Sequence, residues 1–560
     1  LTITTDTPDA RIVYTLDGVS PDAAQGYRIP PGKTYTGPIR ITKTTCVRAM
    51  AFKDGYKPTK IYTRTFFFES RSELKTLPIL SLVGDAGNTF YEPNGVMAIV
   101  GGTYSGGVWT STGVGSYNNI LNRDIERPVS VEWMTPGDDE EFQVDCGLRV
   151  HGSPWMRPRY VRQNGQWSGD GKISFRLYFR GRYGSSRLEH PLFSLSTAEE
   201  FDAIVLRAGH NDRTNPFIKD ELLRRLHRDM GQVACMGTFA NLTINGEYKG
   251  YYNITEHVRD ESCRQWFNSD KPWDVMTMNG VRDGDSVSWD AMIAYARGYN
   301  MSNPAYYAEL CKKLDVVCFI DYLIARLWPN DWDWPQNNWS AACERSETGQ
   351  WKFFVWDAEG TFESSQLNAD RFPELNSQGN GNAYLYRALK ASPDFRLLFA
   401  DRLYKHFFNG GALTQQNVGR RFSELRSGLV SVIPNMSTYI VDTWTPSRQS
   451  IFLAACVREG MYTFAGPTFT VGGTALYGGN VSTGASLRIV PSPQGAPVHY
   501  TLVGSYPVLS DVSQTSTEIT LVARGAAKRA LVPTGPDVGD WRSVRSFDDS
   551  AWLSSSGEPG

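Results

Sequence analysis

Two short acidic segments of this sequence carry residue types that suit Mg²⁺-assisted phosphoryl transfer. The first contains Asp331 and Asp333, followed by the pair Asn337-Asn338, and the second spans residues 356–359. In such reactions one carboxylate receives the proton of the attacking hydroxyl, while amide and carboxylate oxygens hold a hard divalent cation. No other stretch of the chain narrows the choice of chemistry as much.

The spacing of these residues divides the roles between them. Asn338 follows Asp333 by five positions, as the metal-binding Asn follows the proton-accepting Asp in kinase catalytic loops. Asp357 follows an apolar strand pattern, which is where a kinase-like fold carries its metal-binding Asp. The His-Arg that precedes the catalytic Asp of kinases and the Phe-Gly that follows the metal-binding Asp are absent. The alternative is that these residues only cap a turn after a helix, and Asp331 is expected to do so.

Lys172 is a candidate for the lysine that pairs with ATP phosphates, because it opens a strand pattern well upstream of Asp333. Its candidate partner is Glu221, near the start of a predicted helix. The alternatives are a solvated surface lysine and a carboxylate that only complements the helix N-terminus. The turn that contains Arg157 and Arg159 could lie over phosphates, with guanidinium groups as forked donors. Glu256 ends a strand where kinases have the hinge that faces adenine, and a salt bridge is the alternative there.

Helices and strands must place these side chains. Apolar periodicity predicts helices at 216–230, 307–328 and about 392–408, and Pro329 ends the second. The pair Asn245-Gly246 predicts a tight hairpin turn. Strand patterns occur at 78–83, 129–133, 147–151, 172–179, 203–207 and 239–244, which predicts a mixed α+β region.

Composition excludes several classes of function. The net charge of −2 over 560 residues gives no electrostatic case for nucleic acid, and no run of 18 apolar residues predicts a membrane span. The eight dispersed cysteines contain no Cys-x-x-Cys, which disfavours a zinc site or a disulfide-rich scaffold but leaves one or two disulfides open. Motifs of serine hydrolases, zinc proteases and P-loop proteins are absent. Paired carboxylates could serve a glycosidase, but the adjoining Asn337-Asn338 favours a cation.

The first 70 residues alternate in strand fashion between turns at Asp17-Gly18 and Asp54-Gly55. The segments 12–18, 35–39 and 47–49 resemble the chitobiase C-terminal type module. That resemblance implies an accessory β-sandwich on secreted glycan-associated proteins, with a structural or glycan-binding role. From residue 466 short strand patterns return, which predicts a second β-sandwich over 466–535 and the start of a truncated β domain over 536–560.

Most of the central region resembles the CotH (spore-coat protein H) kinase family. Eight motifs spread from residue 78 to residue 359 carry the resemblance. They are Pro78-Ile-Leu-Ser-Leu, Glu126-Arg-Pro-Val-Ser-Val-Glu132, Gly147-Leu-Arg-Val-His-Gly152, Lys172-Ile-Ser-Phe-Arg-Leu, Leu206-Arg-Ala-Gly-His-Asn-Asp212, Asn245-Gly-Glu-Tyr-Lys-Gly-Tyr-Tyr-Asn-Ile-Thr-Glu256, Asp333-Trp-Pro-Gln-Asn-Asn338 and Trp356-Asp-Ala-Glu359. The resemblance implies a bilobal protein-kinase-like domain over 71–465. It also implies ATP with Mg²⁺ or Mn²⁺ as cofactors and Ser/Thr of secreted or surface proteins as acceptors.

Carried over residue by residue, the resemblance makes Lys172 the ATP-phosphate lysine and Asp333 the catalytic base, with Asn338 and Asp357 as metal ligands. The family often has Asp-x-Asp where this chain has Asp357-Ala-Glu359, and Glu359 reaches one methylene further. The family loop before the lysine commonly reads Gly-x-Ser-Ser-Arg, which leaves Arg157 and Arg159 as alternatives for its arginine.

These patterns predict a multidomain extracellular bacterial protein, excised from a longer chain, whose central domain is an atypical Ser/Thr kinase flanked by β-sandwich modules. A non-catalytic adhesion or scaffold protein with glycan-binding β modules is the main rival. Convergence of Lys172, Asp333, Asn338 and Asp357 in one cleft would favour the kinase. A glycosidase would show two carboxylates flanking an open sugar groove.

Overall fold

The structure is a computed structural model. It describes residues 1–22, 32–68, 71–91, 93–98, 103–105, 108–110, 118–119, 125–137, 141–152, 155–156, 162–163, 166–167, 172–209, 215–462, 466–476, 478–492, 494–502, 528–530 and 553–555. Residues 1–507 form one compact unit and residues 508–560 another.

The first 68 residues build a sheet in the order β2-β1-β3-β4, from β1 (Arg11–Thr15), β2 (Lys33–Thr34), β3 (Thr45–Phe52) and β4 (Tyr62–Phe66). The described residues of this segment form a single sheet, so the second layer of the predicted sandwich is not confirmed. The backbone N–H of Thr65 donates to Glu132 at 2.8 Å, and that of Thr63 donates to Gln143 at 3.0 Å. These bonds join the module to the next domain.

A closed seven-stranded barrel follows, in the order β7-β8-β9-β11-β10-β5-β6. Its strands are β5 (Ile79–Val83), β6 (Arg127–Met134), β7 (Glu141–Val150), β8 (Phe175–Tyr178), β9 (Ala203–Arg207), β10 (Gly237–Ile244) and β11 (Glu247–Thr255). Neighbours are antiparallel except β5 and β10, whose parallel pairing closes the barrel. Its apolar side chains form one of the two large cores. The predicted hairpin is confirmed, because Asn245 and Gly246 have φ of 48° and 79° and join β10 to β11.

Ten α-helices are present in the described residues, with most of them in the second half of the chain. They are α1 (Lys219–Asp229), α2 (Asp260–Phe267), α3 (Val287–Gly298), α4 (Pro304–Cys311), α5 (Val316–Leu327), α6 (Phe372–Ser377), α7 (Gly381–Leu389), α8 (Pro393–Phe407), α9 (Gln415–Leu429) and α10 (Thr445–Arg458). The predicted helix 307–328 is two helices. The side chain of Asp315 accepts a bond from the Cys318 N–H at 2.9 Å and starts α5 afresh.

A second sheet lies among these helices, in the order β13-β12-β14-β15. Its strands are β12 (Trp273–Thr277), β13 (Gly280–Asp283), β14 (Trp339–Glu344) and β15 (Lys352–Val355). Apolar residues of α1, α5, β14 and β15 share the other large core. The α+β class is therefore confirmed, and the bilobal kinase-like arrangement stays a prediction.

Strands return in the last described part of the first unit, as β16 (Thr468–Val471), β17 (Thr474–Ala475) and β18 (Leu487–Val490) in one antiparallel sheet. Most of the remainder of the predicted sandwich over 466–535, including the strand pattern at 518–522, lies outside the described residues. In the second unit Lys528–Ala530 pairs antiparallel with Leu553–Ser555. Most of the predicted β domain over 536–560 also lies outside them.

All eight cysteines are free thiols, and seven of them are buried. The structure therefore forms neither of the disulfides that the sequence left open. Within the described ranges, no helix combines the length and apolarity that crossing a bilayer requires.

Candidate active site

The loop after α5 is fixed by Arg326, a fully buried residue in the last turn of that helix. Its guanidinium donates to the carboxylate of Asp331 and to the backbone carbonyls of Asn338 and Trp356. One side chain therefore holds both predicted acidic segments. Burial raises the pKa of Asp331 to about 6, although Arg326 opposes the shift. Asp331 lies just past the end of α5, as the sequence predicts, and is closed off from solvent.

Asp333 and Asn338, the predicted base and metal ligand, contact each other. The Asn338 side-chain amide donates to Asp333 Oδ2 at 3.1 Å, and that of Asn337 donates to Asp333 Oδ1 at 2.8 Å. Two amides thus orient one carboxylate. The intervening Trp334 is buried and donates from Nε1 to the Tyr322 hydroxyl at 2.7 Å, which anchors the loop on α5.

Strand pairing brings the second acidic segment beside the first. β14 and β15 are antiparallel, with Trp339 opposite Val355. Asn338 and Trp356 therefore face each other at the mouth of this hairpin, and Asp357 follows directly. Asn338 and Asp357 both have φ of 57°, in the left-handed region that Asn and Asp tolerate better than most residues. The backbone turns at these two positions, next to the side chain of Asp333.

Arg207, the last residue of β9, is the buried cation that meets the carboxylates. Its Nη2 lies 2.5 Å from Asp357 Oδ1 and 2.7 Å from Glu359 Oε1, and its Nε lies 3.1 Å from Asp220 Oδ2. Burial disfavours its charge, but the three carboxylates outweigh burial and hold the pKa of Arg207 above its ordinary value. Burial likewise disfavours the charge of Asp220, and Arg207 and Arg224 outweigh it and lower the pKa of Asp220.

The sequence analysis missed Arg207 as a functional residue, although the motif that contains it was noted. A charge at the end of the fully buried strand Ala203–Arg207 was the available signal, because such a charge needs a partner.

Lys172 lies against aromatic side chains. Its ammonium donates to the Tyr251 carbonyl at 2.6 Å and lies 4.3 Å from the centre of the Phe217 ring, 4.6 Å from that of Tyr251 and 4.9 Å from that of Tyr252. Phe217 also lines a narrow cavity together with Arg207 and Glu359. The structure therefore brings Asp333 and Asn338 into contact, and the register of β14 and β15 places Asp357 at the same end of that hairpin.

The predicted pairing of Lys172 with Glu221 stays a prediction. Glu221 is buried and binds Arg224 and Arg225, each at 2.8 Å. Two guanidinium groups from its own helix face satisfy this carboxylate, at the i+3 and i+4 positions that lie nearest to it. Glu221 consequently supports α1, and its predicted contact with a cofactor stays without support.

The predicted adenine-facing position of Glu256 also stays a prediction. The carboxyl is fully buried and accepts bonds from the Ser196 hydroxyl, from Trp266 Nε1 at 3.0 Å and from the Met236 N–H at 2.6 Å. Burial raises the pKa of Glu256 to about 7 against these donors. The salt bridge that was the alternative is not formed among the described residues. Arg157 and Arg159 lie outside the described residues, so the prediction for Arg159 stays as it was.

The oxygen donors at the hairpin mouth fit a hard cation. Asn338 turns its amide nitrogen to Asp333, which leaves its Oδ1 as a donor, and Asp357 keeps 38% of its side chain exposed. Within the described ranges no cluster of three or more His, Cys, Asp or Glu side chains has the arrangement of a metal site.

Comparison with known proteins gives two family matches. The model described as CotH kinase protein matches residues 161–440, and the model described as Fn3 associated matches residues 1–66. The N-terminal match thus bears a different description from the predicted chitobiase-type module, which stays a prediction. No curated protein matches the chain.

A solved structure titled as that of the Helicobacter pylori proinflammatory kinase CtkA is similar over 44% of this chain and 91% of that one. The two share 8% sequence identity and a TM-score of 0.20.

Proposed function

Because the chain belongs to the CotH kinase protein family, whose model matches half of it, we propose that it is a protein kinase. It would transfer the γ-phosphate of ATP to Ser or Thr hydroxyls of other proteins, with Mg²⁺ or Mn²⁺. The resemblance noted in the sequence supports an acceptor that is secreted or exposed at a cell surface, and an extracellular or surface location for the chain itself.

One observation carries this proposal: Arg326 ties the loop of Asp333 to the strand end that bears Asp357. Phosphoryl transfer depends on positioning and on charge neutralisation rather than on covalent chemistry by the enzyme. A proton acceptor and a cation-binding carboxylate must therefore be held at fixed separation. A buried arginine that binds one carboxylate and two carbonyls supplies that rigidity.

Asp333 is the proposed proton acceptor. Both of its oxygens receive an amide hydrogen bond, so the carboxylate is oriented while it keeps lone pairs for a substrate hydroxyl. Asn338 and Asp357 are the proposed cation ligands. A bound divalent cation would neutralise the phosphate charge that builds up during transfer.

Lys172 remains a proposed phosphate-binding residue. Its ammonium contacts the ring of Phe217, and that ring lines the cavity that also contains Arg207 and Glu359. A lysine side chain has four rotatable bonds, and we propose that the Lys172 ammonium turns toward bound phosphate.

The test is incubation with labelled ATP and Mn²⁺ or Mg²⁺, with casein as a generic acceptor. The wild-type chain is compared with Asp333→Ala, and phosphoamino-acid analysis identifies the acceptor residue. Loss of a general base lowers rates by about 10²–10⁴-fold, so the variant should incorporate almost no label.

Gln336→Ala is the matched control, because Gln336 is exposed on the same loop. Equal incorporation by the wild type and Asp333→Ala would reject Asp333 as the base. Absence of label with every cation would favour the non-catalytic adhesion protein, and label on tyrosine would reject the Ser/Thr assignment.

A further inference from the structure

Arg207 is a single positive charge shared by carboxylates from three separate elements. Asp220 begins α1, Asp357 follows β15, and Glu359 lies in the short 3₁₀ turn Ala358–Gly360. The side chains of Arg207, Asp220 and Glu359 are 6%, 6% and 8% exposed, whereas that of Asp357 is 38% exposed. The guanidinium therefore lies on the protein side of the site, with Asp357 between it and solvent.

The position of Arg207 is fixed by contacts that do not involve Asp357 or Glu359. Its Nε pairs with Asp220, which is itself held by Arg224 at 3.3 Å and by the Ala358 N–H at 2.8 Å. Its guanidinium carbon lies 5.2 Å from the centre of the Trp356 ring. A planar guanidinium with an aromatic contact and a buried carboxylate partner is held in place and keeps its charge.

The two site carboxylates differ in what they offer a cation. Asp357 Oδ1 binds Arg207, while among the described residues no hydrogen-bond donor lies on its Oδ2. Glu359 is buried and directs Oε1 to the same nitrogen of Arg207. The extra methylene of Glu359, compared with the Asp that the family often has, extends its carboxylate toward the arginine.

Kinases commonly hold two divalent cations at this kind of site. A second dication near Glu359 would sit within a few ångströms of a buried guanidinium, and charges of the same sign repel strongly where the local dielectric constant is low. Glu359 Oε1 already pairs with Arg207 Nη2 at 2.7 Å.

We propose that Arg207 takes the place of the second divalent cation, so that this site binds a single one through Asp357 and Asn338. Glu359 then serves as the partner of Arg207 and is not a metal ligand. The inference rests on the proposed function, since it concerns the same nucleotide and cation site. Arg207 is a positioning residue: it orients Asp357 Oδ1 and leaves Oδ2 for the cation.

The test counts Mn²⁺ bound per chain. The whole chain is mixed with one equivalent of the non-hydrolysable ATP analogue AMP-PNP and titrated with Mn²⁺, and free Mn²⁺ is followed by electron paramagnetic resonance. We expect one Mn²⁺ per complex for the wild type and for Arg207→Lys, which keeps the charge. Arg207→Gln removes the charge and should bind a second Mn²⁺.

Glu359→Gln keeps the test decisive if Arg207→Gln does not fold. It should still bind one Mn²⁺, with any loss of affinity inside the range of about 10–100-fold that outer-shell partners show. Two Mn²⁺ bound to the wild-type complex, reduced to one by Glu359→Gln, would overturn the proposal and leave the kinase function intact. Wild-type protein that binds no Mn²⁺ with AMP-PNP would overturn the proposed function itself.

Discussion

Two buried clusters of arginine and carboxylate side chains differ in the ratio of carboxylates to the groups that bind them. Around Arg207 one cation serves three carboxylates. In the helical half, by contrast, one carboxylate, that of Asp321, serves several donors. It accepts bonds from Arg402 Nε at 2.8 Å, from His406 Nε2 at 2.9 Å and from Gln232 at 2.6 Å.

Solvent access differs as clearly as stoichiometry. Asp321, Arg402 and His406 are all at most 3% exposed, so no ligand reaches them and the cluster can only support the fold. The Arg207 cluster has an excess of negative charge and one carboxylate that reaches solvent. A ligand of opposite charge can bind where uncompensated charge reaches solvent. A closed cluster, whose charged groups are all paired with each other, offers no such binding site.

The largest expected effect is on stability, from Arg402→Leu. The change leaves the buried charge of Asp321 without its main ion-pair partner, which costs about 3–5 kcal/mol. Urea denaturation at neutral pH measures it, with Lys405→Leu as the control because Lys405 is exposed on the same helix. A loss of unfolding free energy no larger than that of Lys405→Leu would show that the Asp321 cluster does not support the fold.

Asp357→Asn should give the opposite profile. Asp357 is partly exposed, and without it Arg207 keeps Asp220 and Glu359 as partners, so the loss of stability should be much smaller than that of Arg402→Leu. Mn²⁺ affinity in the presence of AMP-PNP should nevertheless fall by about 100-fold or more, beyond the range seen for outer-shell partners. Calorimetric titration and urea denaturation on the same variant measure both quantities. A large stability loss with unchanged Mn²⁺ affinity would place Asp357 with the structural cluster.

His227 lies on α1, near the Asp321 cluster, and we expect it to make the free energy of unfolding depend on pH. Burial lowers the pKa of His227 to about 4, although Asp321 favours its charged form and Arg326 and His406 disfavour it. The unfolded chain binds this proton near pH 6.5, so it holds more protons than the folded chain between about pH 4 and 6.5. Stability should therefore fall as the pH drops through that window.

His227→Phe should remove this contribution. Both ring nitrogens of His227 are buried without a hydrogen-bond partner in the structure, so an apolar ring of similar size leaves no new unpaired group. Thermal unfolding at pH 5 and pH 8 should show a smaller difference for the variant than for the wild type, by about 1–2 kcal/mol. An unchanged difference would indicate that another group controls the acid sensitivity of the helical half.

The smallest expected effect concerns the orientation of Asp333. Asn337→Ala removes one of its two amide donors. A hydrogen bond contributes about 0.5–1.5 kcal/mol, so kcat should fall by about two- to thirteenfold, while KM for ATP stays near the wild-type value. Steady-state rates with casein measure both, and Gln336→Ala is again the control. A change in KM alone would mean that Asn337 contacts the nucleotide.

Local patterns predicted the local parts of this molecule. The pair Asn245-Gly246 predicted the hairpin, because a tight turn depends on neighbouring residues. Helix limits were less exact: α1 begins at Lys219, after Pro216 and a left-handed Phe217 with φ of 52°.

These local patterns did not predict the long-range contacts. Arg207 meets Asp357 and Glu359 across 150 and 152 residues, and the parallel pairing that closes the barrel joins residues 79–82 to 241–244. Neither contact leaves a periodic signal in the sequence. Lys172 and Glu221 were paired by analogy of order, whereas Arg224 and Arg225, one turn along the same helix, compete for Glu221 at much lower entropic cost.

The left-handed backbone at Asn338 and Asp357 restricts which mutations this site tolerates in evolution. β-Branched residues are strained at such φ values, while glycine adopts them freely. A lineage that lost the need for a cation could replace either residue by glycine and keep its fold. Relatives with glycine at these two positions are therefore expected to keep the fold without binding the cation.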